Sequence, residues 1–191
     1  MPKVRRKRCP VCNELFVPYN TLQRPCRPQC AIIWSKTTNG QKAVRRAQRA
    51  AYREKRLELK TKSQWLKEAE REICKWVRKV RDIDLPCVTC GKYDAEIPNV
   101  WRGGKWDGGH YKTKGGHPEL RLEPTNIHKQ CKSCNSPGPN KADWVREQYD
   151  INIQTRITPE EYQWLNGPHP PLHWTIDDII EIKTKYRKLN R

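Results

Sequence analysis

Between Cys87 and Asn135 the chain strings a histidine, an asparagine and an aspartate between two pairs of metal-binding cysteines. Cys87 and Cys90 form a C-x2-C pair in LPCVTCG and Cys131 and Cys134 a second in HKQCKSCN, with 40 residues between the pairs. Four thiolates presented this way can close a tetrahedral Zn2+ site. Inside the enclosed loop lie Asp107 and His110 in WDGGHY; Asn126 stands five residues ahead of Cys131, and Asn135 directly follows Cys134. The chemistry open to such a set is phosphodiester hydrolysis, which needs a base to deprotonate water and a hard cation at the phosphate. His110 is the candidate base, with Asn126 as the group that orients its ring. Asp107 and Asn135 are candidate oxygen ligands for Mg2+ or Mn2+. Gly108 and Gly109 would let a phosphate backbone approach closely. Lys112, Lys114, Lys129 and Lys132 are candidate phosphate contacts. His128 is expected as a phosphate contact or structural group, and His117 as a loop residue.

The remaining cysteines repeat the theme. Cys9, Cys12, Cys26 and Cys30 form a second set of four in a looser pattern, C-x2-C, 13 residues, then C-x3-C, which leaves Cys74 as a structural thiol on a helix. Disulfides are the competing use. The leader MPKVRRKRCP has charge but no apolar stretch after it, unlike a secretory signal, so two structural zinc sites are expected.

These residues need elements to hold them. Only 35% of the chain is apolar, against a globular norm of roughly 45–50%, so small metal-stapled modules fit better than one large core. No run of about 18 apolar residues is present, and no membrane span is expected. From about 41 to 62 the sequence is rich in helix formers without a wide apolar stripe, which predicts a helix lying in solvent or along phosphates. Arg45, Arg46, Arg49 and Arg53 on it are candidate DNA contacts. Ser63 would cap a second, amphipathic helix to Val80, with tryptophans in the core and its apolar face as a candidate dimer seam. Residues 97 to 112, with Trp101, Trp106 and Tyr111, suggest a hairpin turning at Gly103 and Gly104. After the helix-hostile SPGPN a helix is expected over Lys141 to Tyr149. Thr158 and Thr175 would cap two more, the latter with Asp178 in a capping box.

Net charge is +18, with 22 Lys and Arg against 6 Asp and Glu in residues 1 to 80 and 17 against 15 thereafter. That asymmetry points to a polyanionic partner held mainly by the N-terminal half, nucleic acid rather than membrane.

A cysteine pair, then His, then Asn, then C-x2-C-N is the order of an HNH nuclease of the treble-clef type. At LPCVTCG, WDGGHY, NIHKQCKSCN and WTIDDIIEIKTKYRKL, with the CPVC and CRPQC pairs and basic helices in the same order, the chain resembles the lambdoid phage NinG (Rap) recombination family over nearly its whole length. The resemblance implies a structure-selective endonuclease acting on Holliday junctions and other branched DNA in the host-cell cytoplasm. The site also resembles that of a phage T4 junction-resolving endonuclease, in which a carboxylate and an Asn directly after a zinc Cys hold the metal. The expected fold is α+β: an N-terminal four-cysteine zinc knuckle (1–40), basic and amphipathic helices (41–80), and an HNH-like ββα-metal domain with C-terminal helices (81–191). Two symmetric cuts in a four-way junction call for a homodimer. The rival readings are a zinc protein that binds DNA without cutting it and an RNA-binding zinc protein.

Overall fold

A computed structural model describes residues 5–99 and 103–191; the expectation at Trp101 lies outside them. The fold is mixed α+β, and the chain divides into two compact units, Met1–Lys60 and Thr61–Arg191.

The first unit is built on a knuckle. Strands β1 (Lys7–Arg8) and β2 (Leu15–Phe16) form an antiparallel ribbon with Lys7 opposite Phe16. At its tip the Asn13 N–H donates to the Cys9 carbonyl at 3.0 Å, with Asn13 at φ 61°, a region that asparagine tolerates. Helix α1 (Pro28–Ser35) opens with proline in its first turn and brings in Cys30. Helix α2 (Thr38–Glu58) follows, capped by the Thr37 side chain. A Cβ at Gly40 would lie 1.9 Å from the Trp34 carbonyl oxygen, so glycine is what lets the two helices close. Among its 21 residues α2 buries only Gly40, and Leu15, Val17, Tyr19 and Leu22 are all exposed. So thin an apolar core leaves the cysteines as the main source of cohesion.

The second unit opens with helix α3 (Lys62–Trp76), whose N-cap is Thr61 in a capping box with Gln64. Ser63 is therefore inside the helix, not its cap; only Thr61 has a Gln three residues on. A π-helical turn, Val77–Arg81, extends it. Ala69, Ile73 and Val77 are fully buried against Ile179 and Tyr186 of helix α7 (Ile176–Leu189). Trp76 and Tyr186 meet at 5.2 Å between ring centroids. The burial of each such aliphatic side chain stabilises by about 1.5–3 kcal/mol. The face expected as a dimer seam is thus filled by the chain's own last helix.

Strand β3 (Trp106–His110) pairs antiparallel with β4 (Ile127–Cys131), with Trp106 opposite Cys131 and His110 opposite Ile127. The hairpin expected within residues 97–112 is thereby corrected: Gly103 and Gly104 make a left-handed turn before β3, but the partner strand lies beyond a long loop. β4 is buried at every position although three of its five residues, His128, Lys129 and Gln130, are polar. Helices α4 (Lys132–Asn135), α5 (Ala142–Ile153) and α6 (Pro159–Asn166) complete the unit. Thr158 with Glu161 and Thr175 with Asp178 cap α6 and α7 as expected. Among the described residues no helix is long and apolar enough to cross a membrane.

Candidate active site

Each cysteine quartet converges. The sulfurs of Cys9, Cys12, Cys26 and Cys30 lie within 4.8 Å of one another, as do those of Cys87, Cys90, Cys131 and Cys134; all nine cysteines are free thiols. In the second knuckle Gly91, at φ 67°, donates its N–H to the Cys87 carbonyl at 3.0 Å. This is the turn Asn13 makes in the first knuckle. Hydrogen bonds from the Cys131 and Cys134 thiols hold Cys87 far below its usual pKa, and the same contacts push Cys134 far above. In the first quartet burial opposes ionisation of Cys9, but backbone N–H groups of Cys12, Cys26 and Val11 outweigh it and lower the thiol to about 6. Burial pushes Cys26 up to about 12. Thiols this close cannot all ionise without a cation between them, so each tetrad could hold Zn2+.

Asp107 and Asn135 come together across the hairpin: the Asn135 Nδ2 donates to Asp107 Oδ2 at 3.2 Å. The Lys132 ammonium lies 3.3 Å from Asp107 Oδ1. His110, the last paired residue of β3, is partly buried. Its Nε2 lies 3.0 Å from the Arg121 carbonyl oxygen. A carbonyl only accepts, so Nε2 carries the proton and the neutral ring keeps its lone pair on Nδ1. Burial lowers the His110 pKa, more than the nearby Glu70 and the Arg121 carbonyl raise it. A cavity of about 580 Å3 has His110, Gln130 and Asn135 in its wall together with Tyr149 and Asp150 of α5.

Among the described residues the Asn126 side chain has no hydrogen bond to an imidazole. Fully buried, it accepts from the Lys112 N–H at 2.7 Å and donates to the Lys112 and Leu120 carbonyls at 3.1 and 3.0 Å. It therefore closes the loop between the strands, and with it sets the Arg121 peptide that orients His110. Glu70 of α3 secures the same point, accepting from Arg121 Nε and Nη2 at 2.9 and 2.8 Å and from Lys114 at 2.7 Å. Burial would raise the Glu70 pKa, but those two cations hold it below the usual carboxylate value.

Three expectations are corrected. His128 is 2% exposed; its Nε2 faces the Thr125 carbonyl at 3.0 Å and its Nδ1 accepts from Arg81 at 3.2 Å. Burial and Arg81 push it down to about 4, so it is a neutral structural histidine and no phosphate contact. Lys129 is 5% exposed and spends its ammonium on the Ile83 and Leu85 carbonyls at 2.7 and 2.8 Å. Both belong to a buried knot around Asp82, which accepts from Arg81 at 2.6 Å and from the Lys129 N–H at 3.0 Å. The two glycines serve packing and not phosphate: a Cβ on Gly109 would lie 2.0 Å from Gln130 Oε1, and one on Gly108 2.8 Å from Cys74.

The other candidates are accessible. Lys112 donates to Asn166 at 2.6 Å, Lys114 and Lys132 pair as above, and His117 meets Glu119 at 3.1 Å in the loop. Arg45, Arg46, Arg49 and Arg53 are exposed on α2 in the first unit. Glu70, Arg121 and Gln130 carry no signal in the sequence. Glu70 and Arg121 stand 51 residues apart, and no local pattern links them.

The profile of the family described as "Bacteriophage Lambda NinG protein" matches residues 1–191. Protein ninG of Escherichia phage 933W is 30% identical over 201 residues, covering 98% of this chain and 94% of that protein. Protein ninG of Escherichia phage lambda is 30% identical over 203 residues, covering 98% and 93%, and that of Salmonella phage P22 is 30% identical over 203, covering 98% and 94%. No solved structure matches the chain.

Proposed function

The chain belongs to the family of the bacteriophage lambda NinG protein, and from that premise we propose that it is a metal-dependent endonuclease that cuts Holliday junctions and other branched DNA in phage recombination. The observation that carries this reading is the cavity with both His110 and Asn135 in its wall, Asp107 being bonded to Asn135, on a hairpin that ends in a zinc-competent tetrad. In this reading β3, β4 and α5 make an HNH-like core. The tetrads hold structural Zn2+, and the first unit, residues 1–60, grips the DNA for the nuclease in the second, residues 61–191.

His110 acts as general base through Nδ1. Its other nitrogen is committed to Arg121, so the ring is aimed before substrate arrives. Burial keeps the ring neutral near pH 7, the state that can take a proton from water. Asn126 and Glu70 position this base through the Arg121 peptide and side chain. Asp107 offers carboxylate oxygens and Asn135, with its carboxamide turned over, a third. Lys132 against Asp107 marks that spot as one that favours positive charge, which fits a hard cation. Mg2+ or Mn2+ held there supplies neutralisation of the phosphate and the leaving oxygen. Lys132 and Lys112 stand at the site to hold non-bridging oxygens. Paired cuts across a junction are the work of a homodimer in the host-cell cytoplasm.

The test is a labelled four-way junction with Mg2+. His110→Ala should keep zinc and junction affinity and lose cleavage by about 10^2- to 10^4-fold. Asn135→Ala should be slowed but partly rescued by more divalent ion, since the base is intact. Full cutting by His110→Ala would remove the proposed base, and a wild-type chain that binds junctions without cutting them would leave a DNA-binding zinc protein.

A further inference from the structure

The first unit contains a cleft of about 840 Å3 between the knuckle and α2. Arg8, Arg24, Lys42 and Arg46 are in its wall with Trp34, and no carboxylate is. Arg24, Lys42 and Arg46 have no ion-pair partner among the described residues. Lys42 and Arg46 are one helical step of four apart on α2, and Ala43 and Ala47 run beside them at the same spacing, so cations flank a floor of small side chains. Trp34 is half-buried at the corner between α1 and α2. Four cations without a counter-charge in a concave site favour a polyanion. A half-buried indole beside them adds a flat face that a paired duplex, whose bases are stacked on one another, has little means to use.

We infer that this cleft binds a short unpaired stretch of DNA, with a base against Trp34 and the adjoining phosphates on Arg8, Arg24, Lys42 and Arg46. Single-strand sites combine these two parts, a cationic track and an aromatic face. The inference rests on the branched-DNA reading for its substrate class, because branched DNA with a displaced or overhanging strand presents unpaired nucleotides beside duplex. It is independent of the chemistry at His110. The first unit then distinguishes a branch from plain duplex, and the second unit cuts.

The experiment measures binding of the full zinc-loaded chain, without Mg2+ and so without cleavage, to a thymidine oligonucleotide and to a blunt duplex of equal length. Trp34→Leu keeps apolar bulk but removes the ring face, and Trp34→Phe keeps a ring. We expect Trp34→Leu to weaken single-strand binding on the order of tenfold, to change duplex binding less than twofold, and to be largely repaired in Trp34→Phe. Arg24→Gln with Arg46→Gln should flatten the single-strand salt dependence by about 1.4 in slope, roughly 0.7 for each phosphate no longer neutralised. Retained zinc certifies the fold of each variant. Equal losses on single strand and duplex, or unchanged single-strand binding by Trp34→Leu, overturn the cleft as an unpaired-strand site. Failure of the nuclease reading would appear instead as an uncut junction in Mg2+ with these binding differences intact.

Discussion

The two cysteine tetrads have the same donor atoms and the same knuckle turn, yet their surroundings diverge. Around the first, residues 1–60 carry 16 Lys and Arg against 3 Glu, a net of +13, while residues 61–191 carry 23 against 18, a net of +5. The first tetrad sits in a unit whose apolar side chains are mostly exposed and whose long helix buries one residue. The second is packed with Ile97, Val145 and Trp106 on a hairpin that also bears His110 and Asp107. A thiolate tetrad therefore specifies a turn and not a role. In one place the turn displays charge, and in the other it aligns a strand end with a helix so that two oxygen donors meet.

The largest effect should come from removing one metal at a time. Cys131→Ser should unfold the second unit and leave about one Zn2+ per chain. Cys30→Ser should leave about one as well, but with the amide protection of α3, α7 and β4 intact. Structural zinc is worth roughly 10–16 kcal/mol in small modules, more than either unit's margin. Zinc analysis combined with hydrogen exchange reads both, and collapse of the whole chain on losing Cys30 would end the comparison.

Next, changing Arg45, Arg46, Arg49 and Arg53 to Gln should reduce the slope of log affinity against log salt by up to about 3.6, at roughly 0.9 per neutralised phosphate on duplex DNA. Single-turnover cleavage of junction already bound should change little. If the rate on bound junction falls as far as the affinity, the division of labour between the units is wrong.

Asn126→Ala comes third. Leaving the Lys112 and Leu120 backbone groups buried without partners costs about 1–3 kcal/mol each, so the urea midpoint should drop clearly. Cleavage should also slow under folded conditions, since the loop that carries the Arg121 carbonyl is loosened. Unchanged stability would sink this account of the loop.

The mildest is pH. With the His110 pKa lowered in the folded protein, its base form persists below the ordinary histidine value of about 6.5. The acid limb of the cleavage profile should fall below that value and vanish in His110→Ala. Stability should respond to His128 in the same range. Its folded pKa of about 4 lies below the unfolded one, so the unfolded chain binds the extra proton. Stability is full above about 6.5 and declines as pH falls toward 4. His128→Asn should abolish that part of the decline in a urea titration at constant zinc.

What the sequence disclosed and what it withheld follow one physical divide. The cysteine pairs, the Thr158 and Thr175 caps, and Asn135 directly after a cysteine of the second pair were legible because each depends on spacing along a few residues. Long-range partners were not. His128 and Lys129 look like site cations in NIHKQC until Asp82 and Arg81, more than 40 residues earlier, are found to bury them. The strand partner of β3 was hidden by a loop whose closure depends on one buried Asn. Gly108 and Gly109 read as openings for a ligand, although Cys74 and Gln130 already fill the space beside them.

The π-helical turn at Val77–Arg81 makes chain length a structural variable here. Each α-helical residue advances about 100° around the axis, and a π turn absorbs one residue more than an α turn. Ahead of the turn, α3 keeps Ala69 and Ile73 facing α7. At the last residue of the turn, Arg81 reaches the Pro124 carbonyl at 2.8 Å and His128 at 3.2 Å. One continuous helix thus serves two clients in different directions, with the surplus residue acting as a phase shift between them. Deleting a single residue from this turn would swing Arg81 by about a quarter turn, away from β4, while every side chain of both contact faces stayed unchanged in kind. The segment should tolerate substitutions at its exposed positions far better than it tolerates a change in length.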